Sequence, residues 1–140
     1  MTKKKKIKKP SISKSEKLSL KDSAKIPPKQ QKPFFSLSSM DKYKIFCIGQ
    51  CEKKEKAAFS DTLYKLSQLT WGEILSSQRH GCGHEKIDRK QITRPLPDDL
   101  KEDENIIAFR FCGKKPMVGY KRENVFHIIW VDPKFKLYKH

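Results

Sequence analysis

No stretch of the chain approaches the ~18 consecutive apolar residues that a membrane-crossing helix needs. The opening MTKKKKIKKP is basic but leads into no apolar segment, so a secretory signal is not expected. Cysteine is sparse: Cys47, Cys51, Cys82 and Cys112 are too thinly spread for a disulfide-rich scaffold. Acidic residues are in deficit, 16 Asp and Glu against 32 Lys and Arg, for a net charge of +16 over 140 residues. These absences point away from membrane helices and secreted disulfide frameworks. A soluble, cytoplasmic protein with no membrane partner is the expectation. The basic excess favours nucleic acid or another polyanion as partner, without implying specificity.

The charge is uneven. Residues 1–33 carry twelve lysines against Glu16 and Asp22. Their apolar residues are too few to offset the entropy of ordering a chain, so 1–33 is expected to be a disordered lysine-rich tail. Lys3, Lys4, Lys5 and Lys6 are candidate phosphate contacts whose strength would fall steeply with salt. The same composition also fits a solvated extension with no specific role. Residues 34–140 then form a single α+β domain.

Within that domain KYKIFCI (residues 42–48) alternates as a first strand, with Tyr43, Ile45 and Cys47 on one side. From residue 51 to 69 the period changes to three and four. Phe59, Leu63, Leu66 and Leu69, with Ala58 and Tyr64 beside them, mark one helix stripe. Thr70-Trp71-Gly72-Glu73 is a capping-box pattern that opens a second short helix over 71–77. RHGCGHEK is a glycine-broken polar loop. Residues 87–104, with Pro95, Pro97 and DDLKEDE, read as an exposed loop lying in water. Three closing strands follow, broken near Gly113–Pro116 and at Glu123–Asn124.

The expected fold is therefore β-α-α-β-β-β, a small antiparallel sheet packed against two N-terminal helices. Alternation puts Ile107, Phe109 and Phe111 on one face and Arg110 and Cys112 on the other. It likewise groups Phe126, Ile128 and Trp130 against Val125, His127, Ile129 and Val131. If the helices cover the Phe/Ile/Trp face, Arg110, Lys121 and His127 converge on the uncovered one.

The order of elements over residues 43–140, with GCGHEKI before the second strand, IIAFRF followed by VGYKR, and the ending KLYKH, resembles the RelE/ParE toxin superfamily. Within it the pattern is similar to the YoeB-like mRNA interferases. The resemblance implies a metal-independent, cofactor-free endoribonuclease that cleaves ribosome-bound mRNA and is paired with a cognate antitoxin. In such a reaction the 2′-hydroxyl attacks the adjacent phosphorus, which calls for a base, cations at the phosphate and an acid. On the matching positions Glu85 is the base, Arg110 binds the phosphate and Lys121 is a second cation. Tyr138 or His140 is the acid, with His127 a further candidate. Lys114, Lys115 and Arg122 join the RNA-contacting set. This chain departs from the pattern in its lysine tail, its long 87–104 segment, and Lys121-Arg122 where Tyr-Arg is usual.

A second function class stays open: a non-catalytic basic module that binds nucleic acid or protein, held by a structural zinc on Cys47, Cys51, Cys82 and His84. Zinc favours Cys and His, although C-x3-C and H-x-C-x-H are not a standard pair of ligand knuckles.

Overall fold

The computed structural model describes residues 26–40, 45–77 and 83–139. The lysine cluster at 3–6 lies outside them. Phe59 and Leu66, spaced seven apart, form the buried ridge of the longest helix, α1 (Lys53–Ser67). Ala58, Leu63 and Leu69 pack beside them, whereas Tyr64 turns away and is 68% exposed. Glu55 closes the first turn by accepting the Glu52 amide at 2.7 Å. The short helix α2 (Trp71–Ser76) starts where the Thr70 hydroxyl accepts the Glu73 amide at 3.2 Å, as its sequence pattern predicts.

The architecture is α+β, but among the described residues the sheet has five strands and is mixed, not purely antiparallel. Its order is β1-β5-β4-β3-β2, built from β1 (Phe34–Ser36), β2 (His84–Ile87), β3 (Ile106–Cys112), β4 (Lys115–Arg122) and β5 (Val125–Val131). The described residues of the expected 42–48 strand, 45–48, are not in a strand. Residues 42–44 fall outside the description, residues 45–47 form a turn, and Ile45 is 56% exposed. Instead Phe34–Ser36 lies parallel to β5, with Phe35 beside Phe126. Phe35 and Phe109 both meet the Phe126 ring edge-on, at 6.4 and 5.0 Å between centroids. The end of the expected tail is also built in, since Pro28–Gln30 forms a 3-10 turn and the Trp71 amide donates to the Gln31 carbonyl at 2.8 Å.

Both faces of the sheet are covered. Helices α1 and α2 bury Ile107, Phe109, Phe111, Met117, Phe126 and Ile128. A bulge overturns the simple alternation in β5. Val118 pairs with Trp130 and Gly119 with Ile128, leaving Ile129 as the extra residue. Trp130 therefore turns to the second face, and Val131 to the helix face. Gly119 is required at this point, because a Cβ there would lie 1.9 Å from the His127 carbonyl oxygen.

The second face is not bare. Ile106, Ala108, Val118, Tyr120 and Trp130 lie under Ile92, Leu96 and Leu100 from the 87–104 segment and under Leu137 and Tyr138. That segment, expected in water, is instead fastened down. Arg122 donates to Glu104 through Nε (2.8 Å) and Nη2 (2.6 Å), and to the Asp99 carbonyl at 2.8 Å. Arg89 donates to the carbonyls of Lys101 and Glu104. Glu104 and Asp99 thus neutralise Arg122 beneath them while their apolar neighbours complete a second core.

Candidate active site

Glu85 and Arg110 reach one place because of register. In the antiparallel pairing of β2 with β3, Glu85 stands opposite Ala108. Paired residues share a face and alternate residues return to it, so Glu85 and Arg110 lie diagonally across from each other. Both are exposed, at the end of the face that the 87–104 segment leaves open. Gly83, at φ +57°, ends the preceding loop in a left-handed conformation that favours glycine, and the Arg110 side chain lies over it. Gly83, His84, Glu85 and Arg110 wall a notch of about 20 Å³, room for roughly one water or phosphate oxygen.

Tyr138 closes the group from the C-terminal segment. Its hydroxyl donates to Oε1 of Glu85 at 3.3 Å, while its ring is buried in the second core. Burial, and after it the neighbouring Glu85 carboxylate, pushes the Tyr138 phenol up from its ordinary value. The phenol is therefore a persistent hydrogen-bond donor and a poor proton donor. Its position depends on Asp132, which is fully buried and accepts the amides of Lys136 (3.0 Å) and Leu137 (2.8 Å). The Asp132-Pro133 dipeptide is the turn signal that makes this anchor readable in the sequence.

Arg110 makes no ion pair among the described residues and also borders a groove of about 470 Å³ beside Thr62, Lys65, Phe111 and Gly113. The arrangement offers a carboxylate, a steadying phenol and a guanidinium fork around an opening. It suits proton removal next to a bound phosphate.

Other expected site residues lie elsewhere. Lys121 falls on the helix face, because Lys121 pairs with Phe126; its ammonium sits 5.2 Å from the Trp71 ring centroid. Desolvation there lowers its pKa. His127 stacks on Tyr120 at 4.7 Å and 13°, on β5, three strand spacings or about 14 Å from β2. Neither converges with Arg110. Arg122 is engaged by Glu104, whose carboxyl it holds down at about 2. Lys115 binds the buried Glu55 at 2.5 Å. Both cations are thus paired with carboxylates within the protein, whereas Lys114 is exposed in the β3–β4 turn. His140 lies outside the described residues.

For the zinc reading, no group of three or more His, Cys, Asp and Glu side chains among the described residues is placed to hold a metal ion. Cys82 lies outside them. Burial and then the Glu55 carboxylate push the Cys51 thiol up to about 11. Among the described residues no helix is long and apolar enough to cross a membrane.

Comparison of the chain with protein-family models, with curated proteins and with solved structures gives no match.

Proposed function

We propose that this chain is a RelE-like toxin of a toxin–antitoxin pair, an endoribonuclease that cleaves mRNA on the ribosome in the cytoplasm. One observation carries the reading: Glu85 and Arg110 wall one exposed notch, and Tyr138, from a third and distant part of the chain, donates its hydroxyl to Glu85 from the buried side. In the proposed reaction the Glu85 carboxylate takes the proton of the 2′-hydroxyl. The 2′-oxygen bonds to phosphorus, the bond to the 5′-oxygen breaks, and that oxygen takes a proton as it leaves. The products are a 2′,3′-cyclic phosphate and a 5′-hydroxyl. Arg110 binds the non-bridging oxygens, where charge builds in the transition state. Tyr138 acts as a positioning residue, holding the Glu85 carboxylate. His140, two residues further on, stays the proposed acid on the family resemblance alone.

The test is expression and end-group analysis. Wild-type chain is expected to arrest growth and leave cyclic-phosphate ends on ribosome-bound mRNA. Glu85→Gln and Arg110→Ala are each expected to relieve the arrest, and a small acidic antitoxin encoded alongside to suppress it. Intact RNA on ribosomes, with RNA binding retained, would leave the non-catalytic module as the reading.

A further inference from the structure

Tyr138, whose hydroxyl reaches Glu85 at the Glu85–Arg110 notch, also lines a groove of about 690 Å³. Lys90, Lys136 and Lys139 line it with Gln91, Thr93 and Phe135. No carboxylate is among its lining residues, although acidic side chains are common on the neighbouring 87–104 segment. Its size falls in the range of small-molecule sites, roughly 300–1,000 Å³.

Phe135 is the unusual member. Its φ of +56° lies in the left-handed region, where a bulky side chain is a true outlier, and it is 41% exposed. Strain of this kind persists only where the surroundings enforce it. They do so here from both sides of the turn. The buried Asp132 carboxylate ties the amides of Lys136 and Leu137 from within. Thr93 holds the Leu137 carbonyl through its amide and its hydroxyl, each at 2.9 Å. The turn is pinned in a conformation that brings Phe135 to the wall of a groove that three lysines also line.

An aromatic surface flanked by cations is the chemistry that binds single-stranded nucleic acid: bases stack on the ring and phosphates meet the lysines. We propose that this groove holds the nucleotide adjacent to the scissile phosphate of a single-stranded RNA, its base on Phe135 and its phosphate among Lys90, Lys136 and Lys139. The assignment of RNA rests on the ribonuclease reading; the site itself rests on the groove.

The test measures binding of a fluorescein-labelled oligouridine, and of the same oligomer with one abasic position, to full-length chain carrying Glu85→Gln to prevent cleavage. Adding Phe135→Gly removes the ring and suits the left-handed backbone, so the thermal midpoint should hold or rise. Affinity for the intact oligomer should nevertheless fall about tenfold. The abasic oligomer should bind the Phe135 chain and the Phe135→Gly chain alike, and Phe135→Trp should restore binding. Lys136→Ala should reduce the salt slope by about one. If Phe135→Gly binds oligouridine as tightly as its parent, the groove is not a nucleotide site. If instead it loses affinity only for an acidic peptide, the groove is a protein-docking site and the proposal is overturned. If the ring matters for RNA while wild type and Glu85→Gln leave the RNA equally uncut, the groove stands and the ribonuclease reading falls.

Discussion

The Tyr138 hydroxyl donates to Oε1 of Glu85 across 3.3 Å, joining the C-terminal segment to the short edge strand β2. The bond spans 53 positions of sequence, and it brings the buried core of the C-terminal turn to the mouth of the candidate site. Tyr138→Phe keeps the packed ring and loses only the donor. Cleavage should fall by about tenfold with substrate affinity little changed, because the carboxylate is no longer steadied. Single-turnover rates against saturating programmed ribosomes check this.

The same contact predicts alkaline behaviour. The folded Tyr138 phenol holds its proton above the ordinary tyrosine value of 10, chiefly through burial. The unfolded chain releases that proton first, so the contribution is whole below pH 10 and is lost as pH rises further. Urea midpoints for wild type should drop more steeply from pH 10 upward than those for Tyr138→Phe.

At the acidic end the relevant pair is Arg122 and Glu104. Arg122 holds the Glu104 carboxyl at about 2, against an ordinary 4.5. Its contribution is whole above pH 4.5 and fades as pH falls toward 2. Glu104→Gln should have a lower urea midpoint than wild type at neutral pH, and the two should converge near pH 2. A constant difference across that window would show that the pair does not hold the 87–104 segment down.

Asp132 anchors the turn that places both Phe135 and Tyr138. Asp132→Ala leaves the buried Leu137 amide and the part-buried Lys136 amide without an acceptor and should destabilise the chain by about 1–3 kcal/mol. Asp132→Asn keeps one acceptor oxygen and should cost less. Chemical denaturation resolves the two.

Gly119 predicts the largest single-residue effect. An added Cβ meets the His127 carbonyl at 1.9 Å, and that contact is backbone, which cannot rotate away. Gly119→Ala should cost at least about 3 kcal/mol or prevent soluble expression.

The closing strands, the stripe of α1 and the Thr70 cap were legible because each writes a period or a spacing into the chain. Strand β1 was not: three residues are too few to show alternation, and its parallel pairing depends on where the helices return the chain. The turn of Trp130 to the second face needs the extra residue Ile129, and nothing local distinguishes that bulge from a regular strand. The 87–104 segment misled for a different reason. Its prolines and acids are those of a solvated loop, and only the tertiary position of Arg122 turns Glu104 and Asp99 into a clasp, with Arg89 holding the backbone carbonyls of Lys101 and Glu104. Lys121 and His127 were expected beside Arg110 on a register that alternation alone does not supply. Glu85, Arg110 and Tyr138 are marked by the family resemblance; the pairing of β2 with β3 explains why the first two meet, and the Asp132-anchored turn brings Tyr138 to Glu85.

The central claim is that Glu85 removes a proton from RNA at this opening. The most direct measurement is the single-turnover cleavage rate of ribosome-bound mRNA by wild type and by Glu85→Gln, with binding measured in parallel. The account predicts a rate lower by about a hundredfold or more for Glu85→Gln, at unchanged affinity and with the same cleavage sites. Equal rates for the two proteins, or no cleavage by wild type, would contradict it.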